Sequence, residues 1–132
     1  MMSQENVDLV RGAYDDFNGG NVEGVLARLD AEVEWTEPGG GKAPSGTFTG
    51  PESVGADVFA TVPEQFDEFT CTPSETSDQG DTVVATVRFA GRNKAGAELD
   101  TPAEHVWEVR DGKVVRFEHK PSDRDAWATA WS

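Results

Sequence analysis

The sequence is short of residues that several functions require. It has one cysteine, Cys71, so neither an internal disulfide nor a cysteine-rich zinc site can form. Its 11 Lys and Arg stand against 25 Asp and Glu, for a net charge of −14. A surface of that sign repels a phosphate backbone, so no nucleic acid is expected as a partner. Only Lys42, Lys94, Lys113 and Lys120 are lysines. An acidic, lysine-poor surface suits a high-salt cytoplasm, where ions screen the self-repulsion. No apolar run approaches the roughly 20 residues that cross a bilayer, so no membrane partner is expected. Met1 to Asp8 are polar and acidic, unlike a secretory signal. The expectation is a soluble, cytoplasmic protein. Its 132 residues read as one domain, 1–132, long enough to bury a core without metal or disulfide staples.

What is present reads as helices first and strands after. Ser3 is placed to cap a helix whose Val7, Val10, Ala13, Tyr14 and Phe17 share one face. Gly19-Gly20 ends it. Asn21 caps a second helix, with Val22, Val25, Leu26 and Leu29 facing inward. Ala31 to Glu37 alternates as a strand, and Pro38 to Gly46 is a loop. Thr47 to Thr49 is a short strand, and Gly50-Pro51 opens a third helix that Pro63 ends or kinks. Strands follow over Phe69–Ser77, Thr82–Arg92, Glu98–Arg110 and Lys113–Lys120, the last two joined by an Asp111-Gly112 turn. Ser122 and Asp125 suggest the cap of a C-terminal helix carrying Trp127 and Trp131. This order predicts an α+β fold, a curved antiparallel sheet packed on three helices of the N-terminal half, with a short C-terminal helix.

Alternation also assigns side chains to faces. Val33, Trp35 and Glu37 share a face, and its apolar members make it the inner one. A carboxylate beside an aromatic wall is poorly solvated and suits a general base near neutral pH. His105 aligns with Trp107 and Val109, and His119 with Phe117 and Val115, so both histidines of the chain fall on inner faces. Tyr14, the only tyrosine, shares the inner helix face. A buried phenol needs a hydrogen-bond partner, and it can serve a substrate oxygen or a backbone carbonyl. Aromatic residues that include Trp35, Phe48, Phe59, Trp107 and Phe117 are core by preference, and some must line any cavity, which favours a small apolar or aromatic ligand. No metal-ligand motif is present, and no cofactor is expected. Arg88, Glu108, Arg116 and Glu118 point outward with Val84 and Thr86. A charged but partly apolar face of this kind forms cross-strand pairs and offers a dimer surface.

Four segments carry a resemblance. These are Ala13-Tyr14-Asp15-Asp16-Phe17-Asn18-Gly19-Gly20-Asn21, Val33-Glu34-Trp35-Thr36-Glu37-Pro38, Gly46-Thr47-Phe48-Thr49-Gly50-Pro51, and His105 through Val114. In this order and spacing the chain resembles SnoaL-like proteins of the nuclear transport factor 2-like superfamily, relatives of ketosteroid isomerase and limonene epoxide hydrolase. The resemblance implies a cone-shaped fold with a closed pocket, and a homodimer. One relative, ketosteroid isomerase, is a mechanistic template in which tuned carboxyl groups are already described. By that pattern Glu37 falls at the base position, Tyr14 at the enolate-binding tyrosine and His105 at or near the protonated aspartic acid. Histidine there is a departure that counts against steroid isomerisation. The Asp-Arg-Asp set of the epoxide hydrolases is not evident. The expected function is cofactor-free isomerisation or cyclisation of an apolar carbonyl compound, with Glu37, His105 and Tyr14 catalytic and with Trp35, Phe48, Phe59, Trp107, Phe117 and His119 contacting substrate. The alternatives are a non-catalytic binding module, and a hydrolase or dehydratase whose acid-histidine pair holds a water.

Overall fold

The computed structural model describes residues 2–132, with side chains from Gln4 onward. Helix α1 (Met2–Asn18) and α2 (Val22–Leu26) precede β1 (Leu29–Pro38) and β2 (Ser45–Thr49). A helical segment follows in three pieces: α3 (Pro51–Val54), a π-helical turn (Gly55–Phe59) and α4 (Thr61–Gln65). Then come β3 (Phe66–Gln79), β4 (Thr82–Asn93), β5 (Glu98–Arg110), β6 (Lys113–Pro121) and α5 (Arg124–Ala130). The architecture is α+β, a curved, unclosed six-stranded sheet in the order β2-β1-β6-β5-β4-β3 with helices on its inner face. Neighbouring strands are antiparallel except β1 and β6, which run parallel.

Several boundaries differ from the sequence expectation, each for a local reason. Helix α1 already includes Ser3, so that residue is not ahead of the helix; its side chain lies outside the described residues. Leu29 starts β1 rather than continuing α2, because one turn capped by the Asn21 side chain on Gly24 N (3.1 Å) ends at Leu26. Pro63 sits in the first turn of α4, where its missing N–H costs nothing. Asp123, not Ser122, caps α5, accepting from Ala126 N at 3.0 Å. Pro73 lies in β3, an edge strand, next to an irregularity in its pairing, as proline in a sheet requires.

A bulge corrects the inner face of β6. Glu108 pairs with Arg116 and Val109 with Val114, which leaves Val115 as the extra residue. Val114 is therefore the buried side chain and Val115 is half-buried. Past the bulge, Phe117 and His119 point inward as expected. The core fills the concave side of the sheet, with α1 and the helical segment over one part and α5 over another. Helix α5 is held at its C-terminal end: Asn93 Nδ2 donates to Ala130 O (2.9 Å), and Lys42 N donates to Trp131 O (2.8 Å). Gly41 makes the second contact possible. A Cβ there would lie 2.8 Å from the carbonyl oxygens of both Ala128 and Trp131, and its φ of 58° is one that glycine adopts most easily.

Candidate active site

Strand pairing brings the polar residues together. His105 is the cross-strand partner of His119, and Trp107 that of Phe117. The parallel pairing sets Trp35 level with Phe117, so Glu37, two residues on, is level with His119. An antiparallel β1 in the same register would have put Glu37 opposite Val115 instead. Tyr14 reaches the group from α1.

Two hydrogen-bonded chains result. Trp107 Nε1 donates to Tyr14 Oη at 2.9 Å, and Tyr14 Oη lies 2.7 Å from His105 Nδ1. An indole nitrogen only donates, and a phenol has one proton. With its oxygen accepting from Trp107, the buried phenol proton is paired only if Tyr14 donates to Nδ1, and that assigns the His105 proton to Nε2. In the second chain Trp35 Nε1 donates to Glu37 Oε2 at 2.7 Å, and Glu37 Oε1 lies 3.1 Å from His119 Nδ1. A carboxylate only accepts, so Nδ1 of His119 carries the proton. In neutral His119 the other nitrogen, Nε2, is then a bare lone pair. Neither Nε2 has a partner in the protein. The two imidazoles meet edge to face, with centroids 4.9 Å apart. The pair thus presents one N–H donor and one base.

Both histidines are 4% exposed, and the Glu37 side chain is 10% exposed. Burial, then the neighbouring His119, holds His105 well below its ordinary pKa, so its ring stays neutral. Burial raises the Tyr14 phenol, with Cys71 adding to it and the Trp107 bond opposing it, so Tyr14 remains a hydrogen-bond donor. Burial, with Glu37 nearby, also raises the Cys71 thiol, which keeps it from acting as a nucleophile.

All these groups line one cavity of about 70 Å³. A water needs about 10–15 Å³ of such space, so the cavity accommodates several waters or part of a compact organic molecule. Tyr14, Trp35, Glu37, Phe59, His105, Trp107, Phe117 and His119 all face it. Phe48 does not. It lies opposite Trp35 on the edge strand β2 and packs, half-buried, against the core, while Trp35 and Phe59, with centroids 5.4 Å apart, belong to the lining. The wall also contains Phe69, Cys71, Phe89, Trp127 and Trp131, to which sequence reasoning gave no site role. The shared face of Phe69 and Cys71, and the four-residue spacing of the two tryptophans, were the available signals. Half-buried Phe17, Phe59, Val62 and Phe69 form an apolar rim. Among the described residues no group of three His, Cys, Asp or Glu side chains is placed to hold a metal ion. On the outer face Arg116 bridges Glu34 (3.3 Å) and Glu108 (3.1 Å), and Arg88 pairs with Asp100 (2.7 Å).

A family model for the SnoaL-like domain matches residues 10–117. The chain belongs to the SnoaL-like family. Solved structures agree along its whole length. An NTF2-like protein from Burkholderia pseudomallei is 28% identical, with a TM-score of 0.89 over 97% of this chain and 98% of that one. TerC, co-crystallised with polyporic acid, is 27% identical, with a TM-score of 0.87 over 96% of this chain and 98% of its own. Bal32a, from a soil-derived mobile gene cassette, is 23% identical with a TM-score of 0.91 over the whole of both chains; at that identity it shows the fold alone. No curated protein matches the sequence. No helix among the described residues of this SnoaL-like chain is long and apolar enough to cross a membrane.

Proposed function

We propose that this SnoaL-like protein is a cofactor-free acid-base catalyst that moves a proton on a small apolar carbonyl compound. The observation that carries the reading is the pair of buried, unpartnered Nε2 atoms of His105 and His119 on one cavity, whose Nδ1 contacts to Tyr14 and Glu37 assign an N–H to the first and a lone pair to the second. His119 Nε2 takes a proton from the carbon beside the carbonyl. The C–H electron pair becomes the enolate, and the developing oxyanion is held by the His105 N–H, a donor already in place. Return of the proton to another carbon gives an isomerase; attack of the enolate carbon on a second carbonyl, whose C=O π electrons move to oxygen and take the proton back from His119, gives a cyclase. Glu37 is then a positioning residue and His119 the base, which exchanges the roles expected from sequence. Tyr14 acts through His105. The co-crystallisation of TerC with polyporic acid supports a small organic ligand here.

Enzyme-dependent deuterium uptake beside the carbonyl of β-tetralone, followed by NMR in deuterium oxide, tests this. Wild type should exceed the buffer rate, and His119→Ala should lose about 10²–10⁴-fold, the usual worth of a positioned base. A wild-type rate equal to buffer across a panel of aryl ketones would sink it. A binding-only module is the second reading. It is favoured by the engagement of both Glu37 oxygens and of His105 Nδ1 within the protein, and it would show ketone binding without exchange. The outer sheet face, where half-buried Val84 and Val106 are cross-strand partners among exposed charges, is the surface through which we expect a homodimer.

A further inference from the structure

Four buried tryptophans line the cavity, and their indole nitrogens divide into two pairs. Those of Trp35 and Trp107 are spent inside the protein, on Glu37 and Tyr14. Those of Trp127 and Trp131 have no partner, although the two residues are 3% and 2% exposed. Buried N–H groups are nearly always paired, and an indole can only donate. Two orphan donors side by side on a cavity wall therefore call for an acceptor from outside the chain.

The position is built. Both indoles belong to α5, which the Asp123 cap fixes at one end and the Asn93 and Lys42 bonds fix at the other. The Trp127 ring is 4.6 Å from His119 centroid to centroid, and the Trp131 ring is 5.7 Å from that of Trp127. The rings of His105, His119, Trp127 and Trp131 are thus successive neighbours in the lining of one cavity. Phe69, Phe89 and Phe117 supply apolar wall. The Glu37 carboxylate and the net charge of −14 disfavour an anion, so the acceptor that fits is an uncharged oxygen.

We propose that Trp127 and Trp131 form a second hydrogen-bonding subsite that takes a neutral carbonyl oxygen of the ligand, beyond the histidine pair. The ligand class is then a compound with carbonyl oxygens at two separated points, one for His105 and one for the indoles. This rests on His105 being a donor, but not on any reaction taking place.

Two probes of one shape test it, para-diacetylbenzene and para-isopropylacetophenone, in which a methyl replaces the second carbonyl oxygen. By calorimetry wild type should bind the diketone about three- to tenfold tighter, the worth of one or two neutral hydrogen bonds. The preference should vanish in a Trp127→Phe, Trp131→Phe double variant, which keeps an aromatic wall. In wild type the Trp127 and Trp131 indole proton resonances should move downfield with the diketone and much less with the monoketone. That reading needs no variant, so it stands if the double variant does not fold. Equal affinities, unmoved indole resonances, a preference surviving in a folded double variant, or no binding of either probe would each overturn the proposal. A His119→Ala protein that has lost exchange but keeps the diketone preference would separate this subsite from the catalytic reading.

Discussion

The direction of the Tyr14 hydrogen bond decides which histidine is the donor; Tyr14→Phe tests the bonds, and the ring tautomers test their direction. The change keeps the ring and removes one oxygen. It leaves Trp107 Nε1, which can only donate, and His105 Nδ1 without partners in a site where Tyr14, His105 and Trp107 are all under 5% exposed. Each orphaned buried group costs about 1–3 kcal/mol, so the variant should lose about 2–6 kcal/mol, much of the about 5–15 kcal/mol that holds a domain together. Urea denaturation at neutral pH measures this as a lower midpoint at unchanged slope. A double-mutant cycle sharpens it. In a Trp107→Phe background one of the two orphans no longer exists, so Tyr14→Phe should cost about 1–2 kcal/mol less there. Heteronuclear NMR of the wild-type rings reads the tautomers directly, and should find the proton on Nε2 of His105 and on Nδ1 of neutral His119. A cost below about 0.5 kcal/mol or strict additivity in the cycle would refute the hydrogen-bonded chain, and a His105 proton on Nδ1 would refute the assignment and the enolate-binding role with it.

Glu37→Gln should reduce ketone exchange by about 10²-fold or more while leaving diketone affinity within about twofold; equal losses in both would make Glu37 merely structural. His105 titrates below its ordinary value because it is buried, with His119 as the smaller cause, so unfolding takes up a proton below about pH 6.5. Its neutral form is fully compatible with the fold above that pH, and stability falls as the pH drops, by about 1.4 kcal/mol per unit from this group, until the folded value is reached. His105→Asn should lack that part of the slope below about pH 6.5; superimposable stability–pH profiles would count against it. Size-exclusion with light scattering should give twice the chain mass of 14.2 kDa, and a monomer at micromolar concentration would end the dimer reading.

The strands and their faces were legible because burial alternates with a period of two. The burial pattern of β5 runs through buried Leu99, Thr101, Ala103, His105, Trp107 and Val109 without a break, which a sequence shows directly. Val115 failed because a bulge adds one residue without a local signature, so alternation carried back from His119 lands on the wrong valine. Phe48 is absent from the cavity lining for a different reason: its place follows from strand order, with β2 outermost next to β1. The partnership of Glu37 with His119 depends on the parallel pairing of strands that lie far apart in sequence. A pattern within each strand cannot report which way a distant strand runs beside it.

The two chains that end at the histidines also explain why residues of similar size do opposite work. Each begins with an indole N–H and ends at an imidazole Nδ1. Only the middle member differs. Tyr14 has a proton to pass on, so it makes His105 a donor at Nε2. Glu37 has none, so it draws the proton of His119 to Nδ1 and bares Nε2. Glutamine at position 37 would turn its oxygen to Trp35 and its amide N–H to His119, keeping both bonds while reversing the second. His119 would then carry its proton on Nε2, and the site would hold two donors and no base. The same substitution should therefore preserve packing and ligand affinity and remove proton abstraction, and the His119 tautomer, read by NMR in that variant, should be the inverse of wild type. A Glu37→Gln protein with an unchanged His119 tautomer would show that the carboxylate does not set it.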